Sequence, residues 1–387
     1  RVFFPDVHDN FKFVCIVFGG PQRTFETTPC AFYLHSLDEL ETREAAHEVL
    51  NLSAEDFALV NPNTGAAPVF RNRRDADLTI RIYRHHPVLV RHAPQGNERV
   101  WPVKYVRMFD MTNDSGKFLT PAELEADGWQ PGPMNSRVKG NQRALPLLVG
   151  KAIWHYDHRA NHASVNAANL QVASSSLAVT SAEKSDPSFA PEPQFWIAAP
   201  APGDQALAWA IAFRDITNPT NVRTAISAIV PHRLAGNTLP LLVPDESAPP
   251  PASWMPLLLA NFNSLVFDYV TRQKAKWTHL NWFILEQLPV IPPAHFDQPL
   301  PAAFTTAARQ ASLMNGHHPH PTVADFVIPQ VLALSYTAHD LAPFARDLGY
   351  VDAQGAVLPP IVWNDDERRE RLAALDALFF WLYGLGA

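Results

Sequence analysis

Two rhythms of apolar and polar positions run along this chain. Around residues 10–36, KFVCIVFGGPQRTF and CAFYLHS form apolar, β-rich runs about a Gly-Gly-Pro turn, which predicts an antiparallel hairpin. SLDELETREAAHEVLNL (36–52) is helical by composition. Ser53, with Asp56 three residues on, then has the spacing of a helix start. Residues 61–89 open with turn chemistry at Asn61-Pro62 and Thr64-Gly65 and continue as a helix with Leu78, Ile80 and Ile82 inward. Strand-like VKYVRMFDMT (103–112) precedes a stretch rich in Gly, Pro and Asn and then LPLLVGKAIWHYDHRA (145–160). The Ser/Ala/Pro-rich residues 172–200 read as an exposed loop. ALAWAIAFRDIT and VRTAISAIVP predict two strands about the turn NPTN.

Beyond the proline-rich 244–253 the pattern becomes helical. Leu258, Phe262, Leu265 and Tyr269 repeat at 4, 3, 4, one stripe of a helix facing a core. A last helix starts at Asn364 or Asp365, with acidic residues in its first turn and a stripe of Leu372, Leu375, Phe379 and Leu382. No internal repeat emerges. The fold class is α/β, mixed in the α+β manner: a strand-rich module carried on a helical scaffold. Domain limits are expected at 1–52, 53–252 and 253–387.

Composition narrows the classes. The chain has 387 residues, 47% hydrophobic and 18% charged, enough apolar material for a core. Its 36 prolines against 16 glycines imply many rigid extended connections. The net charge of -7 argues against nucleic-acid binding by the whole surface but leaves room for a local basic face. Cys15 and Cys30 are too few for a disulfide framework and are expected in buried apolar strands. A reducing cytoplasm is therefore expected, and no membrane partner, since no apolar run reaches the length of a transmembrane helix. The chain opens at Arg1 without Met or an apolar leader, as an excised fragment would.

The sequence carries no dinucleotide or phosphate-binding glycine loop, no Gly-x-Ser-x-Gly elbow and no His-Glu-x-x-His. His317, His318 and His320 in NGHHPHP lack acidic or thiol partners, which argues against a metal. WHYDHR sets His155, Asp157 and His158 within four residues, and strand alternation would send Asp157 and His158 to opposite faces. A structural or DNA-facing polar cluster is expected there. Arg71, Arg73, Arg74, Arg81 and Arg84 outnumber Asp75 and Asp77 on their helix, giving either a solvated face or a phosphate contact.

Several blocks together resemble the C-terminal region of large adenine-specific DNA methyltransferases, including fused Type IIG restriction–modification enzymes and related phage-defence methylases. They are LVNPNTGAAPVFRNRRDADLTIRIYRHHPVL, FRDITNPTNVRTAISAIVPH, NFNSLVFDYVTRQKAKWTHLNWFILEQLPVIPP, LSYTAHDLAPFARDLGY and the terminal LDALFFWLYGL, in that order. The resemblance implies a target-recognition module whose complete enzyme moves a methyl group from S-adenosylmethionine to adenine N6. Neither Asn61-Pro62-Asn63 nor Asn218-Pro219-Thr220 fits the family's Asn-Pro-Pro-aromatic motif, and Val149 stands where an acidic residue is usual. The chain thus resembles the recognition half, expected to be inactive alone and to need no cofactor itself. Its partners would be double-stranded DNA and an N-terminal methyltransferase domain, whose Rossmann-like sheet would end in the hairpin at 11–34.

On that resemblance Arg71, Arg73 and Arg74 are candidate phosphate contacts, and Lys151 of LVGKAIWHYDHR joins them. Arg272, Lys274 and Lys276 would meet phosphate or neighbouring acidic side chains. Thr278, His279 and Asn281 would bond phosphate or cap the next segment. Base readers are expected in the loop-rich 110–200, from Asn113 and above all from NSRVKGNQR, with Arg137, Lys139, Asn141, Gln142 and Arg143; a flexible surface loop has the same composition. The rival expectation is a protein-interaction scaffold docking a separate catalytic subunit.

Overall fold

The computed structural model describes residues 13–163, 176–198, 208–231, 234–275, 278–305 and 320–386. The chain divides into two compact units, 1–85 and 86–387. The structure mixes helices with antiparallel sheets, the α/β class expected.

In the first unit, β1 (Thr28–Cys30) pairs antiparallel with β2 (Leu50–Leu52), Cys30 opposite Leu50. Between them runs α1 (Leu37–Ala45), capped by Ser36, whose hydroxyl accepts the Glu39 amide. The predicted helix over 36–52 stops early because His47 takes a left-handed φ of 57°, and the chain then leaves as β2. Ser53 and Asp56 close the expected capping box on α2 (Ala54–Val60). Asn72 starts α3 (Arg73–His85), accepting the Asp75 amide at 2.8 Å. Ile80 and Ile82 are buried as expected, joined by Ala76, Thr79 and Tyr83, whereas Leu78 is half-buried.

Among the described residues the hairpin at the start does not form. β1 takes its partner from 50–52, and residues 13–27 carry no strand. Phe13, Val14, Ile16, Val17 and Phe18 are exposed, Val17 at 95%. An apolar strand is stable only against a sheet or core, and 14–18 pairs with no strand among the described residues. Cys15 is accordingly exposed and Cys30 half-buried rather than both lying in a core. Burial still pushes the Cys30 thiol upward.

The second unit is built on two four-stranded antiparallel sheets. One has the order β13-β12-β14-β5, from β5 (Val103–Val106), β12 (Trp209–Phe213), β13 (Ser227–Pro231) and β14 (Leu241–Pro244). The β12–β13 hairpin appears where the NPTN turn predicts it, with Ile211 opposite Ile229. Both strands are buried throughout, so their residues are apolar on both faces rather than alternating. The other sheet has the order β11-β8-β7-β6, from β6 (Gln130–Pro131), β7 (Arg137–Lys139), β8 (Gln142–Pro146) and β11 (Trp196–Ala198). Leu124, Ala144 and Trp196 fill one of its faces, with Leu124 from α4 (Pro121–Ala126). Leu145, Ile197, Phe118 and Leu234 fill the other. Small hairpins complete the strands: β3 (Val90–Ala93) with β4 (Gly96–Arg99), and β9 (Asn161–Ala163) with β10 (Ser176–Ala178).

Part of the stretch expected as an exposed loop is ordered and partly buried. Thr180 and Glu183 form a capping box on α5 (Ser181–Ser185), and Phe195 with Trp196 and Ile197 of β11 enters the core. The proline-rich 244–253 is a turn inside the second unit. It leads from β14 into α6 (Trp254–Asn263), and Asn263 of α6 binds both backbone groups of Ser227 in β13. The predicted stripe over 258–269 is split between two helices. Ser264, extended at ψ 149°, ends α6 and caps α7 (Leu265–Lys274) through the Phe267 amide. The break resets the phase: Leu258 and Phe262 are buried, but Leu265 is exposed and Val266, Phe267 and Val270 face inward. α8 (Trp282–Leu285), α9 (Val323–Ser335) and α10 (Ala342–Asp347) follow. Finally α11 (Asp365–Leu382) is capped by Asn364, with Leu375, Phe379 and Leu382 buried as expected and Leu372 half-buried. No helix among the described residues is long and apolar enough to cross a membrane.

Candidate nucleic-acid interface

The basic end of α7 turns inward. Arg272 Nε donates to Asp268 at 2.9 Å, Nη1 to the Pro219 carbonyl at 3.0 Å, and Nη2 to the carbonyls of Asn221 and Val222 at 2.7 and 2.6 Å. Lys274 Nζ donates to the Gln287 carbonyl at 3.1 Å. The His279 ring meets Asp215 at 2.8 Å, and Asn281 caps α8 through the Ile284 amide. Thr278, exposed, supplies its carbonyl to the Thr217 amide. Of the two roles open to this block, these bonds serve the internal one: they fasten the NPTN turn and the start of α8. Lys276 lies outside the described residues, as do His317 and His318.

In the first unit, Arg71 sits 5.6 Å from the Tyr33 ring centroid and Arg73 donates to the carbonyls of His47 and Val49. Arg74 is exposed. The NSRVKGNQR run is a tight hairpin of β7 and β8, with Gly140 at φ 57° in its two-residue turn. Cross-strand register divides its side chains. Arg137 pairs with Ala144 and Lys139 with Gln142 on one face, while Arg143 pairs with Val138 on the other. Arg137 stacks 4.8 Å from the Trp196 ring, and Lys139 donates to Asp127 at 2.6 Å. That bond holds the Asp127 carboxyl below its ordinary range. Asn113, Asn141, Gln142 and Arg143 are exposed.

WHYDHR folds as a turn, not a strand, with Tyr156 at φ 57° and Trp154 bridged to Asp157. Asp157 and His158 do diverge. Asp157 accepts the Arg159 amide and the Lys184 ammonium, the latter at 2.7 Å, while His158 Nε2 meets Asp340 at 3.0 Å. Arg159 is fully buried and donates to the carbonyls of Lys184, Asp186, Phe189 and Thr337. It gathers four carbonyls, one from α5 and three from loops.

Lys151 and Trp154, from the same segment, help line a cleft of about 630 Å³. Arg214 and Arg223 reach it from FRDITNPTNVR, Lys184 from α5, and Trp363 and Arg368 from the entry to α11. Five cationic side chains thus share its wall with one carboxylate, Asp157. Lys184 is neutralised by Asp157 and Arg223 faces Asp376 at 3.3 Å. Arg214 bonds only carbonyls, those of Gly150 and Ile153, and lies 5.4 Å from the Trp154 centroid. Arg368 donates to the Leu334 carbonyl and stacks 3.8 Å from Trp363. Neutral partners satisfy donors without cancelling charge, so burial pushes Arg368 down to about 10 and lowers Arg214 as well. Arg223 Nη1 is buried with no hydrogen-bond partner. His155, also in the wall, donates Nε2–H to the Ala225 carbonyl at 2.8 Å, and burial followed by Arg223 holds it at about 4. The ring is neutral at neutral pH, with Nδ1 left as an acceptor.

Of the residues singled out from sequence, Lys151, His155 and Asp157 line this cleft; Arg214, Arg223, Lys184, Arg368 and Trp363 were not anticipated. The signal was partly present, because one block of the resemblance, FRDITNPTNVRTAISAIVPH, carries both Arg214 and Arg223. Among the described residues, no group of three or more His, Cys, Asp or Glu could hold a metal. No family model matches this chain, and no curated protein or solved structure does.

Proposed function

We propose that this chain is the DNA-target-recognition part of an adenine-specific (N6) DNA methyltransferase or fused restriction–modification enzyme. The complete enzyme would act in the cytoplasm and take its methyl group from S-adenosylmethionine, bound by a separate N-terminal domain. The observation that carries this reading is the cleft, where Lys151, Lys184, Arg214, Arg223 and Arg368 meet a single lining carboxylate. A protein with net charge -7 gains nothing from long-range attraction to DNA, so a local concentration of cations is what such a function needs. Phosphate contacts there would fix register. The exposed side chains of the 137–143 hairpin would supply base-edge donors and acceptors.

The test is binding of random duplex DNA across a salt series. Affinity should fall steeply as salt rises, as counterion release requires. Absence of binding at low salt, or binding indifferent to salt, overturns the reading. A scaffold that docks another protein is the second reading, favoured by the exposed apolar run at 13–18.

A further inference from the structure

We infer that a second concavity of this chain binds the ammonium end of an unbranched alkyl chain, with Asp340 taking the charge. This slot is distinct from the cationic cleft, although one segment contributes to both: Lys151 and Trp154 line the cleft, Ala152, His158 and Ala163 the slot. Its volume is about 50 Å³, room for about four waters at about 10–15 Å³ each. That space suits a short alkyl chain with its head group and excludes a nucleotide.

Met134, Leu147, Val149, Pro191 and Pro193 give the slot apolar walls. Its charged lining groups are Asp340 and Glu192, and among the described residues no lysine or arginine lines it. Asp340 is the more buried of the two, its side chain 9% exposed, and His158 Nε2 meets it at 3.0 Å. His158 Nδ1 is sealed in the protein without an acceptor, so a proton there would be a buried, unpaired donor. Nε2–H is therefore the donor to Asp340, and the ring adds no charge. The charge of the buried Arg159 is shared among Asp340, Asp157 and Asp186, so the carboxylates stay in excess.

The wall itself is built in advance. Met134 and Asn135 are consecutive left-handed residues, φ 54° and 57°, neither of them glycine. Such backbone persists only where its surroundings hold it. Asn135 Nδ2 does so, donating to the carbonyls of Ala190 and Pro191, which also line the slot, at 3.0 and 2.7 Å. Apolar walls around a buried carboxylate select a cation that carries its own hydrocarbon. A phosphate is repelled, and a neutral alcohol leaves the charge unmatched. A metal ion finds no suitable group of ligands among the described residues.

The experiment titrates the full chain with n-butylammonium and, separately, with 1-butanol, followed by calorimetry. The amine should bind about tenfold more tightly, the scale of one hydrogen bond to a charged group. Asp340→Asn should remove that preference. Glu192→Gln, at an exposed site, should weaken amine binding about two- to fivefold. Nα-acetyl-lysine methylamide separates two sources of the group: competition with n-butylammonium points to a lysine side chain of a partner, its absence to a free amine. Equal affinity for amine and alcohol, no saturable binding of the amine, or a preference that survives Asp340→Asn overturns the inference. If Asp340→Asn does not fold, the wild-type comparison and Glu192→Gln still decide it. None of these measurements involves Lys151, so the DNA titration succeeds or fails separately.

Discussion

Arg272 and Arg223 both belong to basic stretches, on segments that touch, yet they end in opposite states. The Arg272 guanidinium spends its donors on Asp268 and on three carbonyls of the turn at 219–222. Arg223, immediately after that turn, has one carboxylate at 3.3 Å and a buried Nη1 with nothing to bond. One arginine holds the loop in place; the other lines a cleft with Asp376 as its only side-chain partner. A count of basic residues cannot separate a cation that is used inside the fold from one that remains for a ligand. Only the atoms each guanidinium bonds do so.

The contrast can be sharpened by substitutions, beginning with a cation used wholly inside. Arg159→Leu should cost about 3–5 kcal/mol, because four carbonyls lose their buried donor. Urea denaturation measures it, and a loss below 1 kcal/mol would mean that water replaces the guanidinium. Next comes pH. His155 has a native pKa of about 4 against an ordinary 6.5, so between those values the unfolded chain binds a proton that the native state refuses. Stability should therefore fall as pH drops through that window, by about 3 kcal/mol at pH 4. His155→Gln should flatten the melting-temperature profile between pH 6.5 and 4. A parallel profile would show that other groups set the acid limb.

Arg272→Ala should cost about 2 kcal/mol, since the turn carbonyls lie near the surface and water recovers part of their bonding. At the smallest end, Lys151→Ala should change stability by less than about 0.5 kcal/mol, as an exposed side chain away from any buried network. Thermal melts of these two variants should keep that order.

Much of the fold was legible where a signal is local. Ser53 and Asp56, the Asn364 cap and the NPTN hairpin each depend on residues within a few positions, and each formed. Ser264 shows the limit. The apolar stripe ran through it without interruption, and only its extended backbone divides α6 from α7. The first hairpin failed for the opposite reason: its apolar run was strand-like, but a strand needs a partner that local pattern does not name. The cleft was least legible of all. Lys184, Arg214 and Arg368 are separated by tens to more than a hundred residues and meet only through the packing of α5, β12 and α11.

The most direct measurement is the salt dependence of duplex DNA affinity for the wild type, Lys151→Ala and Lys274→Ala. Lys274 donates inward to the Gln287 carbonyl, whereas Lys151 lines the cleft. The account predicts that Lys151→Ala lowers the slope of log affinity against log salt by about 0.9, one phosphate contact, and that Lys274→Ala leaves it unchanged. An unchanged slope for Lys151→Ala together with a reduced one for Lys274→Ala would contradict it and return the DNA-facing surface to the end of α7.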